Sequence, residues 1–129
     1  MRRNHVTDRP WEAAAGFSRA VRIGNLIETS LTSPAGPDGE ILFPGDVYRQ
    51  TRQCLAVIGE SLTALGASYE DVIKTRIYVG QTDHWKEAGR VHAEVFGTIR
   101  PALGFVYMIG FFDPAITVEV EATAWVERA

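Results

Sequence analysis

The chain has 129 residues, which suits one domain with a single core, and its 46% apolar and 22% charged residues are typical of a globular protein. A formal net charge of −3 argues against broad electrostatic binding of nucleic acid, which needs a basic surface. No apolar run approaches the roughly 18 residues of a membrane span, so we expect no membrane partner.

The N-terminal residues and the cysteine content bear on the compartment. The basic start Met1–His5 is not followed by an apolar stretch and is not typical of a secretory signal. The single cysteine, Cys54, excludes an internal disulfide, and we expect a cytoplasmic protein. Residues 1–15 contain Pro10 and little periodicity, which we interpret as an arm or edge strand before one domain of residues 16–129.

A hairpin and a long loop open the domain. Val21 and Ile23 alternate with polar residues, and the pair Gly24-Asn25 tolerates the positive φ angles of a tight turn. The sequence therefore predicts two antiparallel strands joined by this turn. Three prolines and three glycines make Ser33–Gly45 a loop, and loops of this length are often functional.

Two amphipathic helices are predicted after this loop. Asp46 can cap the first helix, and Gly66 suits its end. Thr82 or Asp83 can cap the second helix, and Gly97 ends it. The predicted inner residues are Val47, Thr51, Cys54, Leu55, Ile58, Leu62 and Leu65 on the first helix and Trp85, Ala88, Val91, His92 and Val95 on the second.

Three further strands show an alternation of period two. They cover residues 72–79, 102–109 and 117–126. The residues predicted to share a face are Ile73, Thr75, Ile77 and Val79 in the first, Leu103, Phe105, Tyr107 and Ile109 in the second, and Val118, Val120, Ala122, Ala124 and Val126 in the third. The opposite face of the last strand carries Glu119 and Glu121, two carboxylates roughly 7 Å apart along the strand.

The order of these elements indicates an α+β or α/β fold in which two helices cover one face of a mixed sheet. The residues expected on the other face are Lys74, Arg76, Glu119, Glu121, Leu103, Phe105 and Tyr107. This face is too apolar and too charged to be simply solvated, so we expect oligomerisation to bury it.

Glu119 and Glu121 allow two interpretations. They can pair with Lys74 and Arg76 on neighbouring strands, which is common and of modest value. Alternatively, a carboxylate at the floor of an interface pocket acts as general acid or base or holds a water, with a pKa raised by burial. The histidines lack metal-ligand spacing, and neither a phosphate loop nor a nucleophile elbow is present, so we expect no metal and no cofactor.

Six short segments of the sequence, taken in their order along the chain, match the pattern of a known protein family. They are Ser18-Arg19-Ala20-Val21-Arg22-Ile23-Gly24-Asn25, Gln50-Thr51-Arg52-Gln53, Gly66-Ala67-Ser68, Asp71-Val72-Ile73-Lys74-Thr75, Arg100-Pro101-Ala102 and Val118-Glu119-Val120-Glu121-Ala122. Together they resemble the RidA/YjgF family of reactive-intermediate imine/enamine deaminases over about residues 16–126. The resemblance implies an α+β fold similar to chorismate mutase and a homotrimer around a central barrel, with pockets at the subunit interfaces.

The resemblance also implies a pocket, and several of its residues depart from the family pattern. Leu103 stands where deaminating members have the arginine that binds the substrate carboxylate, and leucine cannot form that bidentate pair. Phe17 replaces a tyrosine, Gly89 an asparagine, and Phe105 a small or thiol residue. Glu119 matches the pocket glutamate. Whether Lys74, Arg76 or Arg100 replaces the missing arginine stays open.

These departures predict the chemistry of the pocket. The expected substrate-binding residues are Phe17, Ser30, Gly89, Leu103, Phe105 and Tyr107. They favour a small uncharged or aromatic ligand, with Glu119 as the catalytic acid or base in hydrolysis of a C=N or related bond. The alternative is a trimer that binds a ligand or a partner protein without catalysis. RNA cleavage, which is attached to relatives by name, is disfavoured by the acidic charge balance.

Overall fold

The computed structural model of the protein describes residues 1–127. Its strands are β1 (Arg2–His5), β2 (Ala20–Ile23), β3 (Leu26–Thr29), β4 (Val72–Val79), β5 (Ala102–Tyr107) and β6 (Val118–Trp125). Its α-helices are α1 (Pro10–Ala15), α2 (Val47–Ala64) and α3 (Trp85–Phe96), and a short 3-10 turn at Tyr69–Asp71 precedes β4.

The six strands form one mixed sheet in the order β1-β2-β3-β6-β4-β5. Neighbouring strands are antiparallel except β4 and β5, which are parallel and are joined through α3, since a parallel pair needs a crossover connection. One continuous core lies between the sheet and the helices α2 and α3. The predicted α+β architecture, with two helices on one face of a mixed sheet, is therefore confirmed.

Local turn and cap signals were largely sufficient to place the first half of the chain. Gly24 has φ +59°, and the hairpin register pairs Ile23 with Leu26 as predicted. The Asp46 carboxylate accepts a hydrogen bond from the Arg49 N–H at 3.0 Å and caps α2. The predicted side-chain cap of α3 is wrong, because a helical turn over residues 81–84 precedes the helix and supplies backbone hydrogen bonds instead.

The N-terminal residues form two elements. β1 is an edge strand that pairs antiparallel with β2. The helix α1 was not predicted, because six residues are too few to show a helical period. Pro10 occupies its first turn, and Gly16, with φ +72°, ends it.

Two residues predicted to face the core are exposed. A β-bulge between Val72 and Lys74 shifts the register of β4 against β6, so Val72 is buried and Ile73 is 52% exposed. Trp85 lies on the first turn of α3 and is 46% exposed, although its ring contacts Phe105. The residue period of a strand (two) or of a helix (3.6) predicts the buried face of that element only where the element is regular.

The predicted face of β5 is also wrong. The parallel register pairs Leu103 with Thr75, and Phe105 with Ile77. Thr75 and Ile77 are fully buried beneath the helices, so Leu103, Phe105 and Tyr107 project to the helix side of the sheet. The sequence shows which residues of a strand share a face, but a one-residue shift in register reverses which face that is.

Candidate functional site

Glu119 lies near the start of β6 and is only 7% exposed. The neighbouring Thr32 pairs with Val120 in an isolated bridge, which brings the loop after β3 beside the carboxylate. There the Ser33 hydroxyl donates a 2.7 Å hydrogen bond to Glu119 Oε2. Burial raises the pKa of Glu119, while the Ser33 hydrogen bond and the charge of Arg19 act in the opposite direction.

Arg19 is a second charged residue of this site, and no local pattern in the sequence distinguishes it. Its side chain is 4% exposed, its Nη2 donates to the Leu31 carbonyl at 3.3 Å, and its guanidinium lies 5.2 Å from the centre of the Phe17 ring. Burial lowers the pKa of Arg19, whereas the charges of Glu12 and Glu119 raise it. A charged residue beside a strand is usually solvated, so only the packing reveals its role.

Ser30 supports the segment that carries Phe17 and Arg19. Its hydroxyl donates to the Ser18 carbonyl at 2.6 Å, and its N–H donates to the Arg19 carbonyl at 2.8 Å. We refer to Phe17, Arg19, Ser30, Ser33 and Glu119 together as the acid cluster. The cluster joins three chain segments around one buried carboxylate and one buried cation.

The other predicted site residues form a separate group, here called the β5 wall, which consists of Gly89, Leu103, Phe105 and Tyr107. The Phe105 ring packs edge-on against Trp85, with 6.3 Å between ring centres. A Cβ added at Gly89 would lie 3.7 Å from Phe105, in ordinary contact. Leu103 is 39% exposed and Tyr107 is 53% exposed, so this wall is apolar, aromatic and open to solvent in the single chain.

The acid cluster and the β5 wall lie on opposite faces of the sheet. Glu119 is paired in register with Tyr78 on β4, whereas Phe105 is paired with Ile77, the next residue. Because adjacent residues of a strand point to opposite faces, the two groups do not line one pocket within a single chain.

Glu121 has the charge-pairing role that was one of its two interpretations. Its carboxylate accepts hydrogen bonds from Arg76 Nη1 at 3.1 Å and from the Tyr78 hydroxyl at 2.8 Å. These residues lie on the face away from the helices, beside an open cleft of about 330 Å³ that Lys74 also lines. Arg76 therefore pairs with Glu121 and not with Glu119. Arg100 is exposed in the connection between α3 and β5.

His92 and Cys54 both pack in the protein interior. His92 is buried, with Nε2 2.8 Å from the Thr75 hydroxyl and its ring against Phe96. Cys54 is fully buried on α2, and burial raises the pKa of its thiol well above the ordinary value, which does not suit a nucleophile.

Within residues 1–127, no group of three or more His, Cys, Asp or Glu side chains is arranged to hold a metal ion. No helix of this part of the chain has the length and apolar character needed to cross a membrane.

The fold and the buried carboxylate define a class: small α+β proteins with a mixed sheet, two covering helices and a glutamate at the start of the last strand. The family model described as Endoribonuclease L-PSP matches residues 7–126. The chain belongs to this family, which is also known as RidA/YjgF, and the resemblance found in the sequence is confirmed.

Individual relatives agree with this assignment. A crystal structure of a YjgF/YER057c/UK114 family member from Mycobacterium tuberculosis is 39% identical, with a TM-score of 0.89, and the match covers 98% of this chain and all of that one. An uncharacterized protein of Streptomyces coelicolor is 32% identical over 90% of this chain and 86% of its own. The mouse protein named 2-iminobutanoate/2-iminopropanoate deaminase is 28% identical over 87% of this chain and 83% of its own.

Proposed function

We propose that this protein hydrolyses C=N bonds of small uncharged or aromatic metabolites, at pockets between the subunits of a cytoplasmic homotrimer. The observation that carries the proposal is Glu119, a carboxyl group that is 7% exposed, held by the Ser33 hydroxyl, with a pKa raised by burial. A raised pKa moves a carboxyl group toward the pH at which it can both accept and donate a proton. The deaminase name of the mouse relative supports imine chemistry.

The proposed reaction converts an imine and water into a carbonyl compound and ammonia. Water bonds through its oxygen to the C=N carbon, and Glu119 passes the released proton to the nitrogen, giving a carbinolamine. Glu119 then takes the hydroxyl proton and returns it to the nitrogen. The C–N bond breaks, its electron pair leaves with ammonia, and the carbonyl group remains.

The homotrimer supplies what one chain lacks. The acid cluster and the β5 wall lie on opposite faces of one sheet, so a pocket lined by both groups needs a second copy of the chain. The face away from the helices also exposes a row of apolar side chains on three adjacent strands, Ile23, Leu26 and Trp125, which are 53%, 38% and 48% exposed. Such a row favours burial against other subunits.

The apolar β5 wall favours an uncharged ligand. Leu103 stands at the position where the family's deaminating members carry an arginine, so the wall offers no cationic partner to a carboxylate. The same observation favours the alternative function, a trimer that binds a ligand or partner without turnover. The name of the family model raises RNA cleavage, which the net charge of −3 disfavours.

An ammonia-release assay tests the proposal. Imines without a carboxylate are generated from arylalkylamines by a flavin-dependent amine oxidase, which releases the free imine, and 2-aminoacrylate is generated separately. We expect the wild type to accelerate hydrolysis of the aromatic imines, and Glu119→Gln to lower the rate by about 10²–10⁴-fold. Glu60→Gln, at an exposed carboxylate on α2, is the matched control and should retain the wild-type rate.

The Leu103→Arg variant distinguishes the two functions. If the wall sets specificity, this variant gains activity on 2-aminoacrylate. Saturable binding of an aromatic imine or amine by the wild type, without ammonia release in any variant, would favour the binding protein over the hydrolase. Light scattering that finds a monomer would overturn the interface pocket.

A further inference from the structure

Four ionisable side chains are buried together where the N-terminal segment meets the sheet. Glu12 on α1 is 1% exposed, Arg19 3%, Arg9 5% and Glu119 7%. Burying a charge costs free energy unless an opposite charge or hydrogen bonds compensate it. Two acids and two arginines that are buried together must therefore compensate one another's charge. The proposed mechanism uses only Glu119 of these four residues.

Glu12 is held firmly by the N-terminal segment. Its Oε1 accepts the Thr7 N–H at 2.7 Å, and its Oε2 accepts the Thr7 hydroxyl at 2.6 Å. The same Oε2 lies 3.8 Å from Arg19 Nε. Arg9 donates to the Thr7 hydroxyl and to the Ala35 carbonyl, so hydrogen bonds to uncharged groups compensate part of the cost of its burial.

Arg19 lies beside Glu12 and donates to the segment that holds the candidate acid, so it acts on Glu119 through this segment and through its charge. Its Nη2 donates to the Leu31 carbonyl, and two residues further along the same segment Ser33 donates to Glu119. Arg19 Nε is buried without a hydrogen-bond partner, so its charge is compensated by the nearby carboxylates rather than by a direct hydrogen bond from this nitrogen. The guanidinium lies over the Phe17 ring, with 5.2 Å between Arg19 Cζ and the ring centre.

We propose that Arg19 is a positioning residue for the candidate acid: Glu12, Arg19 and Glu119 form a buried chain of alternating charge that holds the Glu119 carboxylate in place and makes residues 7–19 part of the functional site. The inference rests on the proposed function only in taking Glu119 as the acid or base. Arg19 thereby supplies the positive charge that Leu103 does not, but to the protein's own carboxylate instead of a substrate's.

This arrangement predicts that removing the charge of Arg19 and removing the charge of Glu12 shift the titration midpoint of Glu119 in opposite directions. Removing the charge of Arg19 disfavours ionised Glu119 and raises its titration midpoint, whereas removing the charge of Glu12 leaves Arg19 to compensate Glu119 alone and lowers that midpoint. The Ser33 hydroxyl also contacts Glu119, the charge of Glu119 adds to the raised pKa of the Cys54 thiol on α2, and the register partner Tyr78 donates its hydroxyl to Glu121.

The test is a direct titration of Glu119 by NMR in the full chain, with glutamate labelled at the side-chain carboxyl carbon and the signal assigned by its loss in Glu119→Gln. Arg19→Gln should move the midpoint upward by about one pH unit, and Arg19→Lys should stay closer to the wild type. Glu12→Gln, whose amide oxygen can still accept the Thr7 N–H while its NH2 group donates to the Thr7 hydroxyl oxygen, should move it downward. Arg52→Gln removes an equal charge at the exposed Glu94 pair and should leave it unchanged.

Two outcomes would overturn the inference. One is a folded Arg19→Gln variant whose Glu119 titrates as in the wild type. The other, which decides the question if Arg19→Gln does not fold, is a Glu12→Gln variant that leaves the midpoint in place or raises it. Since no step of the titration needs turnover, a wild type without hydrolase activity refutes the proposed function and leaves this result standing.

Discussion

Replacing Ser33 with alanine removes one hydrogen bond from the buried carboxylate of Glu119. The bond is 2.7 Å long, and its two residues are 7% exposed, so little water can take the place of the lost donor. Because a hydrogen bond to a charged group contributes about 1.5–3 kcal/mol, we expect Ser33→Ala to lower the free energy of unfolding by about this amount at a pH where Glu119 is ionised.

The cost of Ser33→Ala should depend on pH. Burial raises the pKa of Glu119 and the Ser33 hydrogen bond lowers it, so the variant has a still higher folded pKa. A carboxyl group with a raised folded pKa stabilises fully at a pH below the ordinary value for glutamate, and this contribution is lost as the pH rises through the folded pKa. The difference between wild type and Ser33→Ala should therefore widen as the pH rises and shrink in acid.

Urea unfolding at equal protein concentration, at several values between about pH 4 and pH 9, measures this difference. Ser30→Ala is the matched control, because the Ser30 hydroxyl donates to a backbone carbonyl and should cost only about 0.5–1.5 kcal/mol at every pH. A double-mutant cycle with Glu119→Gln should show coupling between the two positions. A pH-independent cost of Ser33→Ala, or strict additivity in the cycle, would refute the reasoning.

Three further predictions test other parts of the structure. Trp125→Glu adds a charge to an exposed apolar row and should reduce the proposed trimer to monomers in light scattering, whereas an unchanged mass would exclude this row from the interface. Gly89→Ala places a Cβ 3.7 Å from Phe105 within α3 and should raise the free energy of unfolding by about 0.5–1 kcal/mol; a loss would mean that Phe105 cannot accommodate the methyl group. Phe96→Ala, at a residue 1% exposed against Tyr69 and His92, should cost about 3–5 kcal/mol in chemical denaturation, and a cost below 1 kcal/mol would contradict its core position.

The elements that depend on neighbouring residues were predictable. The strand Val72–Val79 and the cap of α2 at Asp46 follow from alternation and from one side-chain acceptor. The hairpin at Gly24 follows because the turn needs a positive φ angle. These signals depend on residues that are close in the sequence, so the sequence alone is sufficient to predict them.

The candidate site was only partly predictable. Glu119 could be found because strict alternation around it makes an acid on that strand conspicuous, and the family resemblance marks the same residue. Arg19 was missed, because nothing local distinguishes a buried arginine from a solvated one. Its burial depends on Glu12, which is seven residues away, and on the loop that carries Leu31 and Ser33.

The sequence by itself determined the family and the α+β architecture, and it marked Glu119 as a candidate acid, since these follow from local periodicity, turn chemistry and recognisable strings. Only the tertiary structure decided which face of the sheet each strand presents. The register of β5 against β4 turns Leu103, Phe105 and Tyr107 toward the helices, away from the face that carries Glu121. A period of two is the same for either face, and the choice is made by hydrogen bonds between strands that are distant in the chain.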